Sequence, residues 1–557
     1  MIIKNKNNII VNAFLLNILV LCLMLLIYVP FFSPDDYMMA TTYYGGYTGE
    51  YDYHGIYENF IFGKIIVFFQ SHFPELPCYT LMLYALVFFS FFLMTYKVLE
   101  WNNSNMMYLL LAICLLYFAY EGYISIQFTK VAGIVGATGM MLLLLSKRRW
   151  YELIEAIVMF FFSYLIRLEI AQMILAMMGL IIIIYAGVSF ISNKVDKNRL
   201  FQLILNWGLI ICLYLVIPFI PKYSTEVEKQ IWVDYWTWNV VRSDVQDYGP
   251  EDYADNREIY ESVGVDENDL YIWYEWNTDV EALTIEKGKI ISSLQAKNRN
   301  IFCRAFSAEN VFGFLKAIPL EMLKIDVFVV FLALLLFLAI SLKNKKECLY
   351  LIVYTMVPIY ILNYYMYISE RFFQHRVDVA LIYCAICIMF VILIERDSKM
   401  VKIEKKRFIV FVLLLTISHT YWQDDFSMVT KEQKDDNYEF YNSVNNDGNI
   451  YVCVNKRDNR IARMEAFYAL EVIPKGFYKN IIRGYDVYSR YYLLKEGVGY
   501  PYTEILNNSK MFLVMAADDT NQKHWEEYLS KRNGCSVELQ LVKTVNNRNV
   551  YKVMSKE

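Results

Sequence analysis

Apolar residues in this chain come in long, nearly uninterrupted runs, not in the alternation of a strand or the one-sided stripe of a helix on a water-soluble core. Val11–Pro30 and Val327–Leu342 approach or reach the length that crosses a bilayer. Together the runs 9–32, 78–97, 105–120, 131–146, 150–166, 170–191, 200–220, 325–342, 347–368, 377–395 and 408–421 predict about eleven transmembrane helices. No small-residue cleavage site follows the first run, so it predicts a retained helix and not a removed signal.

Basic residues orient these spans. Lys4 and Lys6 precede the first, Lys147, Arg148 and Arg149 follow the fourth, and Lys194, Lys197 and Arg199 follow the sixth. Lys343, Lys345 and Lys346 follow the eighth, and Lys402, Lys405, Lys406 and Arg407 follow the tenth. Every cluster falls on the N-terminal side, which predicts a multi-pass protein of the cell membrane with a cytoplasmic N-terminus. An odd number of spans then puts the C-terminus outside. The expected organisation is a transmembrane domain, 1–421, with outer loops 33–77 and 221–324, followed by an extracytoplasmic domain, 422–557. The outward segments are larger than the cytoplasmic loops, so the chemistry is expected among them.

Composition agrees: 57% of residues are hydrophobic, 20% are charged, and mean hydropathy is +0.30. A net charge of −4 argues against a nucleic-acid partner, and none is expected. Cys384 and Cys387 form a C-x-x-C inside an apolar run, with no second pair at zinc spacing, which argues against a metal site there. Cys22, Cys114 and Cys212 also lie in apolar runs and read as core filler. Cys453 and Cys535 share the polar C-terminal region, where a disulfide is one alternative.

The richest chemistry stands where the first apolar run ends, at Pro34-Asp35-Asp36-Tyr37. Ionised carboxylates are costly in hydrocarbon, so this pair belongs at the membrane edge. One reading makes it a turn with a helix cap, a job that needs a single acid. The other makes it an acid–base pair facing a substrate whose tail stays in the lipid. The loop that follows is rich in tyrosine and glycine, Tyr43-Tyr44-Gly45-Gly46-Tyr47, and continues into the apolar stretch Asn59–Phe69. Its tyrosines fit an aromatic belt, and Tyr43 also fits a sugar-binding position.

A first membrane helix, an acidic pair at its outer end and a long first outer loop with interfacial helices resemble a GT-C glycosyltransferase. The architectural likeness covers roughly residues 1–420, and the motif match falls on Asp35 and Asp36 alone. The stretch Tyr57-Glu-Asn-Phe60, Gly63, Gln70, Phe73-Pro74 and Leu76-Pro77 also resembles membrane proteins of polysaccharide loci in low-GC Gram-positive bacteria. The resemblance implies a donor sugar on a polyprenyl phosphate or pyrophosphate, with an acid of the first outer loop as catalytic base or metal ligand. Two adjacent carboxylates would suit a divalent cation, Mg or Mn, although the sequence shows no complete ligand set and no certain cofactor.

A lipid phosphate needs cationic partners at the outer ends of the spans. Lys130, Arg167, Arg371, His375 and Arg376 are the candidates, because basic residues are unexpected on that side. The alternative is snorkelling to the headgroups. Glu169 beside Arg167 reads either as an ion-pair partner or as a sugar-hydroxyl acceptor. In the long loop, Trp232 and Trp236 offer flat faces for an acceptor sugar, or form the loop's own core. In the last region, Asn449–Val454 and Met511–Met515 read as strands and Val537–Val545 with Val550–Met554 as a hairpin. Arg460–Val472 and Gln522–Lys531 read as helices, giving a small α/β domain with a binding or docking role.

The expectation is therefore an α-helical polytopic membrane protein with a GT-C-like domain, an extracytoplasmic helical loop and a C-terminal α/β domain. Its expected activity is an inverting transfer of sugar from a polyprenyl-phosphate-linked donor to a cell-envelope glycan or lipid-linked acceptor, with Asp35 or Asp36 as base. No nucleotide-binding motif is present, in keeping with a lipid donor. A polysaccharide polymerase or ligase, resting on the arginines, and a lipid-linked glycan transporter or flippase are the competing classes.

Overall fold

The computed structural model describes residues 6–26, 31, 33–146, 150–191, 196–246, 252–275, 277, 284–297, 304–341, 345–369, 374–395, 431–445, 447–454, 468–484 and 486–556. The first half is a run of helices: α1 (Lys6–Met24), α2 (Pro34–Tyr44), α3 (Phe60–His72), α4 (Cys78–Trp101), α5 (Asn105–Ala119), α6 (Phe128–Leu145), α7 (Trp150–Ile166), α8 (Leu168–Ile191) and α9 (Lys197–Val216). A π-helical turn, Tyr120–Ile124, extends α5. The long loop holds α10 (Glu226–Gln246), α11 (Arg257–Ser262), α12 (Glu267–Tyr274) and α13 (Ile285–Lys297). Then come α14 (Ala308–Met322), α15 (Asp326–Ser341), α16 (Lys345–Ile368) and α17 (His375–Glu395).

Among the described residues seven helices are long and apolar enough to cross a membrane, and an eighth crossing exists if α14 and α15, bent by 93°, form one span. The chain is thus a membrane protein of mainly helical fold. Of the remaining expected spans, the described part of the first (Asn8–Met24) and α7 are shorter, at 17 residues each. The run 408–421 lies outside the described residues. The run 325–342 is the second limb of the bent pair.

The helices differ in how they meet their surroundings. The spanning stretch of α6 is 94% buried and that of α17 is 83% buried, whereas those of α8, α9 and α16 are 33%, 22% and 39% buried. So α6 and α17 form the axis, and α8, α9 and α16 present apolar surface outward. Small residues allow the close approach at the axis: Gly133 of α6 faces Ala380 of α17, and Gly136 faces Ser163 of α7.

The C-terminal part is an α/β domain, as expected. It holds α18 (Lys431–Val444), β1 (Ile450–Cys453), β2 (Ile481–Arg483), α19 (Val487–Lys495), α20 (Pro501–Glu504), β3 (Met511–Ala516), α21 (Gln522–Asn533), β4 (Val537–Val545) and β5 (Arg548–Ser555). The sheet order is β2-β1-β3-β5-β4, with β1 parallel to both neighbours and β3, β5 and β4 antiparallel. Asn546 and Asn547, at φ 43° and 57°, close the β4–β5 hairpin in the left-handed conformation that asparagine tolerates. β2 and α19 were not expected. The expected helix 460–472 falls mostly outside the described residues. Cys453 and Cys535 are free thiols, so the disulfide alternative does not hold.

This domain packs against the segments 33–77 and 221–324. Lys495 Nζ lies 3.1 Å from Asp52 Oδ2 in the first loop, and Lys531 Nζ lies 2.7 Å from Asp266 and from Asp269 in the long loop.

Candidate active site

The acidic pair opens α2. Ser33 is its N-cap, accepting the Asp35 N–H at 3.2 Å, and Pro34 takes the first helical position, where its missing N–H costs nothing. Acids in that first turn also complement the helix dipole. Gly45, at φ 76°, ends the helix with the left-handed cap that glycine adopts without strain.

The two carboxylates diverge. Asp35 is partly exposed, and its Oδ2 accepts from Arg376 Nη1 at 3.2 Å. Asp36 is buried. Its Oδ1 accepts from the Phe128 backbone N–H at 2.9 Å and the Tyr79 hydroxyl at 3.0 Å, so it also satisfies the start of α6. Its Oδ2 has no hydrogen-bond partner. Burial pushes the Asp36 carboxyl up to about 8 and the neighbouring charge of Asp35 adds to that, while the bonds from Phe128 and Tyr79 work against it. Glu58 is a second buried carboxyl, accepting from the Tyr43 hydroxyl. Burial holds it well above the usual carboxylate range, against the Tyr43 bond, and the charge of Asp36 raises it further.

Beside this helix lies a cavity of about 410 Å³, walled by the starts of α6, α8 and α17, the end of α16, and Arg304 ahead of α14. Its polar wall includes Arg167, Arg304, Arg376, Glu169, Thr129 and Gln374, and its remaining wall is apolar. Arg167 is fixed from two directions. Its Nε lies 2.8 Å from Glu169 Oε2, and its guanidinium stands 4.9 Å from the ring centre of Tyr57 and 5.4 Å from that of Phe128. Neither Asp35 nor Asp36 lines the cavity, but each is bonded to its surroundings: Asp35 to Arg376, and Asp36 to the residue before Thr129. Three guanidinium groups line this one cavity, which is chemistry suited to an anion of the phosphate type.

The other expected residues divide clearly. Arg167, Arg376 and Glu169 line the cavity; Arg371 lies outside the described residues. Lys130 does not face a phosphate. It is fully buried, with its Nζ 2.5 Å from Glu121 Oε2, 2.6 Å from Ser125 Oγ and 2.9 Å from Ser125 O, so its three donors are spent inside the protein. His375 meets the same Glu121 through Nε2 at 2.9 Å. Tyr43 is buried on Glu58 and offers no sugar-binding face. Trp232 is buried among His54, Phe60, Tyr235 and Tyr491, so it joins the two loops to the C-terminal domain as core; Trp236 stacks on it at 6.3 Å and stays partly exposed.

Sequence reasoning missed Arg304, Glu58, Tyr79 and Glu121. Glu121 carried a signal, an acid at the edge of an apolar run. Arg304 stands in the segment 221–324 that the charge distribution predicts to face outward, where basic residues are unexpected. Among the described residues no group of three or more His, Cys, Asp or Glu side chains converges as a metal site. No known protein family, no curated protein and no solved structure matches this chain, so the purpose of the site has to be argued from its own chemistry.

Proposed function

We propose that the protein is a membrane glycosyltransferase of the GT-C type, moving a sugar from a polyprenyl-phosphate-linked donor to a glycan or lipid-linked acceptor. The observation that carries this reading is the Asp35–Arg376 pair at the edge of an arginine-lined cavity between outward-facing apolar helices. A lipid phosphate sits against Arg167, Arg304 and Arg376, and its tail leaves between α8 and α16 into the bilayer. Asp35 takes the proton of the acceptor hydroxyl as that oxygen bonds to the anomeric carbon. The bond from that carbon to the phosphate oxygen breaks, and the phosphate leaves with the electron pair, giving inversion. Charge grows on the leaving phosphate, so guanidinium groups placed there favour the transition state over the ground state. The role of base goes to Asp35 and not to Asp36, because Asp36 is buried and holds its proton to about pH 8. Among the described basic residues, Lys197 and Arg199 at the start of α9 and Lys346 at the start of α16 lie at the helix ends opposite the cavity, which supports an extracytoplasmic site and a cytoplasmic N-terminus.

A polysaccharide polymerase or ligase is the second reading, favoured by the third arginine, Arg304, in the cavity wall. Purified protein in nanodiscs decides between them when it is offered a polyprenyl-phosphate monosaccharide and a polyprenyl-pyrophosphate oligosaccharide with glycan acceptors. Turnover of the first, lowered by roughly 10²–10⁴-fold in Asp35→Asn, is the expected result. Turnover of the second alone supports the polymerase or ligase. Undiminished activity in Asp35→Asn overturns the assignment of the base.

A further inference from the structure

The acidic helix is gripped from its far side by the C-terminal domain. Tyr37, the neighbour of Asp36, meets Tyr478 hydroxyl to hydroxyl, with the two rings edge-on at 6.4 Å. Tyr478 is one wall of an aromatic cage around Arg483, whose guanidinium lies 4.2 Å from the ring centre of Tyr478 and 5.4 Å from those of Tyr37 and Tyr47. Arg483 is completely buried in β2, paired with Asp486, and donates through Nη2 to the Tyr47 hydroxyl at 2.7 Å. Tyr47 donates in turn to Asp486. The main chain continues the grip: the N–H groups of Gly476 and Tyr478 donate at 2.8 Å to the carbonyls of Gly45 and Gly46, just past the end of α2.

A buried ion pair is a costly way to join two surfaces. Apolar residues of similar volume often hold as well, whereas a charged, hydrogen-bonded pair fixes one geometry. Here that geometry belongs to the helix that carries Asp35 and Asp36. We propose that Arg483, acting through Tyr478 and Tyr37, is a positioning residue that sets how α2 presents its acidic pair to the cavity. The C-terminal domain is then part of the catalytic unit and not a docking module for a partner. The catalytic half of this inference rests on the glycosyltransferase reading; the grip on α2 does not.

The test uses the full-length protein in nanodiscs with two variants, Tyr478→Phe, which removes one hydroxyl and keeps the ring, and Arg483→Lys, which keeps the charge and loses the planar fork. Hydrogen exchange of the α2 amides is read without substrate, and turnover is read with a polyprenyl-phosphate sugar. Exchange across 36–44 should rise in both variants while α4 keeps its protection. The kcat should fall on the order of tenfold or more, with donor KM nearly unchanged, as expected when a reacting group is misplaced. Unchanged α2 exchange in both variants overturns the grip. Faster exchange with unchanged kcat overturns the catalytic half. A wild-type protein without turnover instead counts against the glycosyltransferase reading, and the exchange result still decides the grip.

Discussion

Asp35 and Arg376 stand 341 positions apart in the chain and meet at 3.2 Å, joining the first turn of α2 to the first turn of α17. Both side chains are part-exposed, so water alone would give the pair little stabilising value. On the reading proposed above its value lies in aim, because the proposed base and the proposed phosphate-binding cation are held within one hydrogen bond of each other. Asp35→Asn should lower turnover by roughly 10²–10⁴-fold, the contribution typical of a positioned general base, with donor affinity nearly unchanged. Arg376→Gln should mainly weaken the donor, by about tenfold or more, because a charge-assisted bond to phosphate is lost. Equilibrium binding of polyprenyl phosphate beside steady-state kinetics separates the two effects, and identical profiles for both variants would contradict the division of roles.

Asp36 predicts a dependence on pH. Its folded-state value is about 8, against a model-compound value of 3.8, so the folded protein keeps a proton that the unfolded chain releases above about pH 4. The stabilising contribution is complete below that pH and is lost as pH rises toward 8, a swing on the order of 5 kcal/mol for this one group. Asp36→Asn keeps an oxygen for Phe128 and Tyr79 and removes the titration. Its Tm should vary less than that of the wild type between pH 4 and 8 and exceed it at pH 8, with Glu58 supplying the slope that remains. Parallel Tm curves for the two proteins would refute the buried acid.

Much of the architecture was legible because hydrocarbon length and apolar runs are read directly from composition. Which helices lie inside was not. α6 is 94% buried and α9 only 22% buried, although both read alike as long apolar runs. Lipid is as apolar as a protein core, and hydropathy therefore carries no inside-outside signal. The same limit explains Lys130, which has the sequence position of a phosphate ligand and the surroundings of an internal ion pair. Asp35 and Asp36 were legible as a pair, but their division into an outward and a buried acid depends on Phe128, Tyr79 and Arg376, none of them near in sequence. Arg483 gave no signal at all, because nothing in a polar α/β segment announces that one arginine will be caged by tyrosines of another domain.

At the junction of the loops and the C-terminal domain, Asp52 titrates in the opposite sense. Burial disfavours its charge, but the bonds from His54 and the charges of His54 and Lys495 outweigh that and hold it at about 2. Its stabilising contribution is present above about pH 4 and is lost as pH falls toward 2. Asp52→Asn should therefore cost about 2 kcal/mol at neutral pH and nearly nothing below pH 2. Chemical unfolding followed at both pH values checks this, and an equal loss at both would assign the effect to packing.

The buried Lys130–Glu121 pair makes a stability prediction that separates it from the phosphate site. Removing one partner leaves the other charge buried with only Ser125 beside Lys130, or only His375 beside Glu121, so Lys130→Met and Glu121→Gln should each cost roughly 3–5 kcal/mol. The double variant should recover a good part of that loss, giving a strong favourable coupling in the cycle. Additive losses would show that the two residues act apart, and a Lys130→Met protein that folds normally but fails to bind polyprenyl phosphate would return Lys130 to the ligand set.

The axis of the bundle offers a test of how packing sets the cavity. A Cβ added at Gly133 would press into Ala380 Cβ and stand 2.9 Å from its Cα, a contact that no side-chain rotation relieves because the neighbour is backbone. Gly133→Ala should therefore force α6 and α17 apart, at a cost of typically 1–3 kcal/mol for overpacking. These two helices carry Thr129 and Arg376 into the cavity wall, so the separation should also reduce donor binding. Ala380→Gly removes the tighter of the two contacts, the one to Cβ, and combining it with Gly133→Ala should recover part of both stability and binding. If the double variant stays as impaired as Gly133→Ala alone, the close approach of α6 and α17 is not what positions Arg376.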